Sequence, residues 1–169
     1  ATQDKHYRAS KVVIASGGLS MPKIASDLAF RTAKDLGLKL HAPRAALVPL
    51  TWNSSDKIRY ETLSGISTEV VASCGGESFR ENLLFTHRGL SGPAILQISS
   101  VWREGQSVDI NLLPDIDAAA WLAAARESNP QQRLATLLKG HLPKRLVELM
   151  SETWFEDQKI GSFSPPELA

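Results

Sequence analysis

The sequence predicts an α+β protein with several subdomains: a small β-barrel and a helical bundle, preceded by a single strand–loop–helix unit. Three observations predict this architecture. A β-branched run at residues 10–15 leads into a glycine pair and then into a segment with helical periodicity. Short strand-sized segments separated by turns occupy the middle of the chain. Proline- and aspartate-initiated helical segments fill the last third.

The composition is that of an ordinary globular protein. Among 169 residues, 43% are hydrophobic, 22% are charged, and the net charge is +1, so the charge balance predicts no nucleic-acid partner. No apolar run approaches the roughly 20 residues that cross a bilayer, so we expect no membrane partner. The single cysteine, Cys74, fits a reducing compartment, and we expect a cytoplasmic protein. Four widely spaced histidines predict no metal site.

The first unit has the pattern of one βα step from a parallel sheet. Residues 10–15 read as a strand buried on both faces, and a glycine loop at residues 16–23 follows. Ser26 or Asp27 can cap the next helix, which should end before Gly37. A glycine pair after such a strand lets the backbone approach a flat or phosphorylated ligand, and a tight structural turn is the alternative.

The middle of the chain predicts the barrel. Gly75-Gly76 has the composition of a two-residue hairpin turn, and Pro93 suits the first turn of a helix inserted between strands. The predicted strands are residues 38–41, 66–72, 77–80 and 108–112.

The last third predicts three short amphipathic helices. Asp117 can cap a helix over residues 118–126, and Pro130 and Pro143 can each begin another. Residues 158–169 are mostly polar and read as a tail.

A stretch at residues 83–96 is dense in special residues. An apolar strand stops, a polar glycine-rich loop follows, and a proline opens a helix, which together suit an anion or the polar edge of a cofactor. A purely structural corner is the alternative. The candidate site residues are Thr86, His87, Arg88, Gly89, Ser91 and Gly92.

A hydrolase that uses Ser91 and His87 is a further hypothesis from this stretch. The order Gly-Leu-Ser-Gly departs from the Gly-x-Ser-x-Gly elbow of such enzymes, and no acidic residue nearby would orient the histidine. The sequence therefore lends this hypothesis little support.

Three blocks, at residues 12–23, 43–50 and 83–96, resemble the YhiN/BaiN family of FAD-dependent, NAD(P)-linked oxidoreductases. A shorter match lies at residues 110–114. The third block is the most specific, because the family pattern Leu-Phe-Thr-His-x-Gly-Leu-Ser-Gly-Pro is matched at every position.

The resemblance implies a domain organisation. In this family, a Rossmann-like FAD domain is interrupted by an inserted β-barrel and a helical subdomain. The implied segments are a partial FAD domain at 1–42, the barrel insert at 43–114, the helical subdomain at 115–157 and a tail at 158–169. A Gly-x-Gly-x-x-Gly pyrophosphate loop does not occur in this sequence, so we expect FAD in the full-length parent but none retained by this chain.

The resemblance also implies a function, in which hydride passes from NAD(P)H through FAD to an unidentified small-molecule substrate. Ser16, Gly17 and Gly18 would line the flavin site, and the six residues of the third block would face the substrate or the flavin edge. No catalytic residue is assigned. The expected partner is the missing FAD-binding domain of the same parent. The alternative is a non-catalytic binding or interaction domain that covers the flavin site.

Overall fold

The computed structural model describes residues 7–164 and 167. The chain divides into two compact units, with the boundary between Ala45 and Ala46. The parts of the predicted segments 1–42 and 158–169 that fall on residues 1–6, 165–166 and 168–169 lie outside the described residues.

The first unit contains one helix, α1 (Leu28–Asp35). The helix ends before Gly37, which has a φ of +70°, as the sequence predicts. The Gly37 N–H donates to the carbonyl of Lys34 at 2.9 Å, and the Leu38 N–H donates to that of Ala33 at 2.9 Å. These two bonds form a Schellman motif, in which a left-handed glycine satisfies the last carbonyls of a helix.

The strands predicted at residues 10–15 and 38–41 are wrong. The described part of the first unit contains no strand, and Val12 and Val13 are 80% and 88% exposed. A parallel strand takes its hydrogen bonds and its buried faces from neighbouring strands, and the described residues of this unit offer no such neighbour. The Rossmann-like strand–loop–helix is therefore not formed here.

The second unit contains a five-stranded antiparallel sheet with the order β1-β4-β3-β2-β5. Gly75 and Gly76, with φ of 60° and 88°, join β2 to β3 as a two-residue hairpin turn, which confirms that prediction. The strands are β1 (Leu50–Thr51), β2 (Ser67–Cys74), β3 (Glu77–Thr86), β4 (Gly89–Ser91) and β5 (Asp109–Asn111).

One face of this sheet packs on α3 (Pro93–Ser99), which begins at Pro93 as predicted. Alternate residues of β2 are buried, because successive side chains of a strand point to opposite faces. A second short helix, α2 (Ser54–Tyr60), follows β1 and was not predicted. The main core residues are Leu63, Ile66, Val70, Ala72, Leu83, Phe85, Ala94, Ile95, Ile98 and Leu146.

Three helices complete the unit: α4 (Ala118–Ser128), α5 (Leu134–Leu138) and α6 (Lys144–Thr153). The Asp117 side chain caps α4 by accepting from the Ala120 N–H at 3.0 Å, as predicted. The helix expected to start at Pro130 begins four residues later, after a turn. On α6, Leu146 joins the sheet core while the adjacent Val147 joins a second core among the helices.

Part of the chain after α6 packs against the helices. Ile160, fully buried, lies in the second core, and residues 160–162 form a 3-10 turn. The Ile160 N–H donates to the Gln132 carbonyl at 2.7 Å, and the Leu134 N–H donates to the Gln158 carbonyl at 3.0 Å. Within the segment that the sequence pattern placed in a tail, Ile160 and Phe163 thus pack in the second core.

Candidate functional site

The segment that follows β3 is a tight turn that reverses directly into β4. Thr86 Oγ1 donates to the Gly89 carbonyl at 2.8 Å and accepts from the N–H groups of Arg88 and Gly89 at 3.2 and 3.1 Å. This one hydroxyl therefore holds the turn together. The segment that the sequence predicts as a loop is a tight, internally hydrogen-bonded turn. Thr86 has a structural reason for its identity that the sequence did not reveal.

The two glycines of this segment lie where the backbone packs against its own chain. A Cβ atom added to the buried Gly89 would lie 1.9 Å from the Leu50 carbonyl oxygen of β1. Gly92 has a φ of +89°, and a Cβ atom added there would lie 2.5 Å from the Asn82 carbonyl oxygen of β3. Both positions therefore require glycine for close backbone approach.

His87 and Arg88 project from the tip of this turn. Both residues are exposed, and within residues 7–164 we find no side-chain hydrogen bond or ion pair for either one. Ser91 is half-buried on β4, where it is paired with Leu84. No hydrogen bond joins Ser91 to His87 within the same range, so the geometry adds no support to the hydrolase hypothesis.

An aromatic pair that the sequence analysis did not select lies against the turn. The Trp52 N–H donates to the Arg88 carbonyl at 3.0 Å, and the Trp52 Nε1 donates to the Thr86 carbonyl at 3.4 Å. The ring of Tyr60, the last residue of α2, lies 5.2 Å from the Trp52 ring. The sequence offered one local signal for the helix that carries Tyr60, because asparagine is a common helix N-cap. The Asn53 side chain caps α2 by accepting from the Asp56 N–H at 2.8 Å.

Val48, which precedes β1 in the second unit, is held to α3 by a buried hydroxyl. Ser99 Oγ accepts from the Val48 N–H at 3.0 Å and donates to the Leu96 carbonyl at 2.7 Å. Beside it, Leu47 has a φ of +55° although it is not glycine, and its side chain is 62% exposed. A large exposed side chain in this conformation is uncommon, and such positions cluster at functional sites.

The glycine loop of the first unit offers a second candidate site. Ser16 Oγ is buried and has no hydrogen-bond partner among the described residues. A Cβ atom added to Gly17 or Gly18 would meet no atom within 4 Å, and Gly17 has a φ of +73°. The Ser26 N–H closes the loop by donating to the Gly18 carbonyl at 3.1 Å. An unpaired hydroxyl beside accessible backbone fits the polar edge of a cofactor such as FAD.

A surface depression of about 260 Å³ is lined by two residues of β2, by residues 112–116 and by His141, but its two carboxylates are already paired. Arg80 binds both of its carboxylates, Glu69 at 2.8 Å and Asp115 at 2.6 Å. The hydrogen bond from Arg80 lowers the pKa of Asp115 below its ordinary value. Because all three groups are well exposed, solvent weakens these ion pairs, and the depression offers no free charge to a ligand.

Among residues 7–164 and 167, no three or more His, Cys, Asp or Glu side chains converge as metal ligands would. None of the helices there is long and apolar enough to cross a membrane.

Comparison with known proteins shows the family to which the sequence belongs. A family model described as "HI0933-like protein barrel and H2TH domain" matches residues 44–169. The chain belongs to this family. Membership in the HI0933-like family agrees with the barrel sheet and helices of the second unit, and it supports the broader expectation of a flavoprotein-related protein.

Two curated relatives share most of the chain. "Ribosomal RNA dihydrouridine synthase" of Escherichia coli (strain K12) is 49% identical over 144 residues, which cover 84% of this chain and 36% of the relative. The protein of the same name from Haemophilus influenzae (strain ATCC 51907 / DSM 11121 / KW20 / Rd) is 42% identical over 161 residues, covering 94% and 40%. The matched region thus spans 36% to 40% of the length of these relatives.

Proposed function

We propose that this chain is part of a flavin-dependent enzyme that reduces uridine in ribosomal RNA to dihydrouridine. The names of two relatives at 49% and 42% identity support the reaction, and the family supports the flavin. The proposal departs from the expectation drawn from the charge balance, which was no nucleic-acid partner. RNA recognition must then come from local groups, because the net charge of the chain is only +1.

The chemistry sets clear requirements on the site. Dihydrouridine differs from uridine by two hydrogens across the C5–C6 bond of the base, so one hydride and one proton must be added to it. FAD, reduced by NADH or NADPH, would supply the hydride when bound. The protein must hold the base, exclude water and deliver the proton.

His87 and Arg88 are the residues of the second unit best suited to contact the substrate. The single observation that carries this assignment is that a turn fixed by Thr86 and Gly89 presents two exposed side chains with no partner in the described residues. Arg88 can bind an RNA phosphate, and His87 can hydrogen-bond the base or give it a proton. Thr86, Gly89, Ser91 and Gly92 would position this turn.

Ser16, Gly17 and Gly18 would contact FAD through the unpaired hydroxyl and the accessible backbone. Most of the FAD site would come from the remainder of a longer protein, since the relatives extend well beyond the matched region. We expect this chain alone not to retain FAD. That remainder, as the partner, would cover exposed apolar side chains of the first unit, namely Val12, Val13, Leu19, Met21 and Ile24.

The test is the dihydrouridine content of ribosomal RNA, measured by nucleoside mass spectrometry. Cells that lack the protein are supplied with the full-length wild type or with variants. We expect His87→Ala to lower dihydrouridine at least about a hundredfold, which is the low end for loss of a proton-transfer group. Arg88→Ala should also lower it, because a contact to an RNA phosphate is lost. Lys144→Ala, an exposed cation on α6, serves as the control and should change nothing.

Two outcomes would contradict parts of the proposal. If rRNA keeps its full dihydrouridine content when the protein is absent, the reaction is wrong. If His87→Ala and Arg88→Ala both retain full product while flavin content is normal, the second unit instead covers the flavin site without contacting the substrate.

A further inference from the structure

An aromatic surface with cations along its edge adjoins the turn that carries His87 and Arg88. We call it the aromatic patch and define it as Trp52, Arg59, Tyr60, Arg88 and Trp154. Trp52 is hydrogen-bonded to the turn and lies 5.2 Å from Tyr60. Trp154 Nε1 donates to the Tyr60 hydroxyl at 3.4 Å. The patch is therefore continuous from the turn, through α2, to the end of α6.

The patch is open to a ligand on its outer side. Trp154 is 53% exposed, so about half of its surface is open to solvent. The Arg59 Cζ lies 5.9 Å from the centroid of the Tyr60 ring, and Arg59 itself is exposed. Nearby, the Arg145 side chain donates to the Thr62 carbonyl. Arg59 thus lies against the Tyr60 ring, and Arg88 belongs to the turn whose backbone Trp52 contacts.

The proposed reaction requires an RNA base whose ring face is free. In a helix, neighbouring bases cover both faces of a uracil ring, so an enzyme that acts on the base must remove it from the stack. The nucleotides beside it then lose their own stacking partners. Proteins meet this need with aromatic side chains for the bases and cations for the phosphates.

We propose that the aromatic patch binds unpaired nucleotides next to the target uridine, with bases stacked on Trp154 and Tyr60 and phosphates on Arg59 and Arg88. The inference rests on the proposed function and specifies its substrate further, as a single-stranded or locally opened RNA segment. Charge complementarity favours RNA over an apolar protein surface as the occupant.

The test measures binding of RNA by the full-length, flavin-loaded protein. The probes are fluorescein-labelled decauridylate and the same strand paired with decaadenylate, and affinity is read from fluorescence anisotropy. We expect the single strand to bind more tightly. Trp154→Ala should weaken it about tenfold, within the range measured for loss of one stacked base. Trp154→Phe should bind nearly as wild type, because the ring and not the indole N–H supplies the stacking.

A second measurement tests the binding of phosphate by Arg59. For a single strand, the slope of log affinity against log salt concentration falls by about 0.7 for each phosphate that the protein no longer neutralises. We expect Arg59→Ala to reduce the slope by about this amount and Lys144→Ala to leave it unchanged.

The inference is overturned if Trp154→Ala binds decauridylate as tightly as wild type, or if duplex binds as well as single strand. It is also overturned if Trp154→Ala loses flavin and keeps its RNA affinity, because another part of the protein then covers the patch. If the protein forms no dihydrouridine but binds RNA through Trp154, the proposed reaction is wrong and the proposed role of the patch still holds. Full dihydrouridine formation by both Trp154→Ala and Arg59→Ala, with unchanged RNA affinity, rejects the patch alone.

Discussion

At Gly89 the chain leaves no room for a side chain, because the Leu50 carbonyl of β1 lies directly over it. We expect Gly89→Ala to separate β1 from β4 and to lower the free energy of unfolding by more than about 2 kcal/mol, in the upper part of the range for overpacking. Urea unfolding followed by circular dichroism measures this loss.

Gly18→Ala provides the matched control. Gly18 does not have a left-handed backbone conformation, and an added Cβ atom there would meet no atom within 4 Å. Its unfolding curve should coincide with that of wild type. Equal stability of both variants would show that β1 does not pack on Gly89.

The sequence showed that residues 86–92 are rich in turn-forming and polar residues. It could not show which of these residues form the turn and which are free to contact a ligand. Glycine, threonine and serine are typical both of tight turns and of ligand sites. The packing of Gly89 against β1, which lies far earlier in the chain, shows that this glycine serves the turn and not a ligand site. Trp52 was missed for the same reason, since its bonds to the turn join residues distant in sequence.

Among the elements, the segment after α6 is held to α5 by Asp157. This carboxylate accepts from Arg133 Nε at 2.7 Å and from the Ala135 N–H at 3.0 Å. Partial burial raises its pKa, but the hydrogen bonds from Arg133 and Ala135 outweigh burial, so the pKa lies below its ordinary value of 3.8. A lowered pKa in the folded state means that the carboxylate stabilises the fold above about pH 4 and that this contribution is lost as the pH falls further.

We therefore expect Asp157→Asn to lower the free energy of unfolding by about 1.5–3 kcal/mol at pH 7, the value of hydrogen bonds to a charged group. The difference from wild type should shrink as the pH falls through the folded-state pKa. Urea unfolding at pH 7 and pH 3 measures both values, with the exposed Asp109→Asn as the control. A difference that is equal at the two pH values would contradict the role of the charge.

Elements were predictable where local chemistry decides them. The Gly75-Gly76 hairpin, the Asp117 cap and the Pro93 start of α3 depend on residues close in sequence. The strand expected at residues 10–15 depends on neighbouring strands, and its valines are instead exposed. Helix α2, with seven residues, was too short for apolar periodicity to reveal.

For the molecule as a whole, the two units differ in how much core they contain. Every buried apolar residue that the structure describes lies at Leu63 or beyond, in the second unit. The first unit instead exposes Val12, Val13, Leu36 and other apolar side chains, and its helix has no buried residue. Burial of apolar surface is the main source of stability, so the first unit has little stability of its own.

This contrast predicts the pattern of hydrogen exchange. In the 169-residue chain alone, we expect the amides of residues 10–15 to exchange within seconds while those of β2 and β3 are protected, because only the latter lie in a packed sheet. In the longer flavoprotein that we propose, residues 10–15 should become protected as neighbouring strands pair with them. Exchange followed by mass spectrometry on both proteins measures this, and β2 serves as the internal control. Rapid exchange of residues 10–15 in the full-length protein would show that the remainder of the protein does not complete this unit.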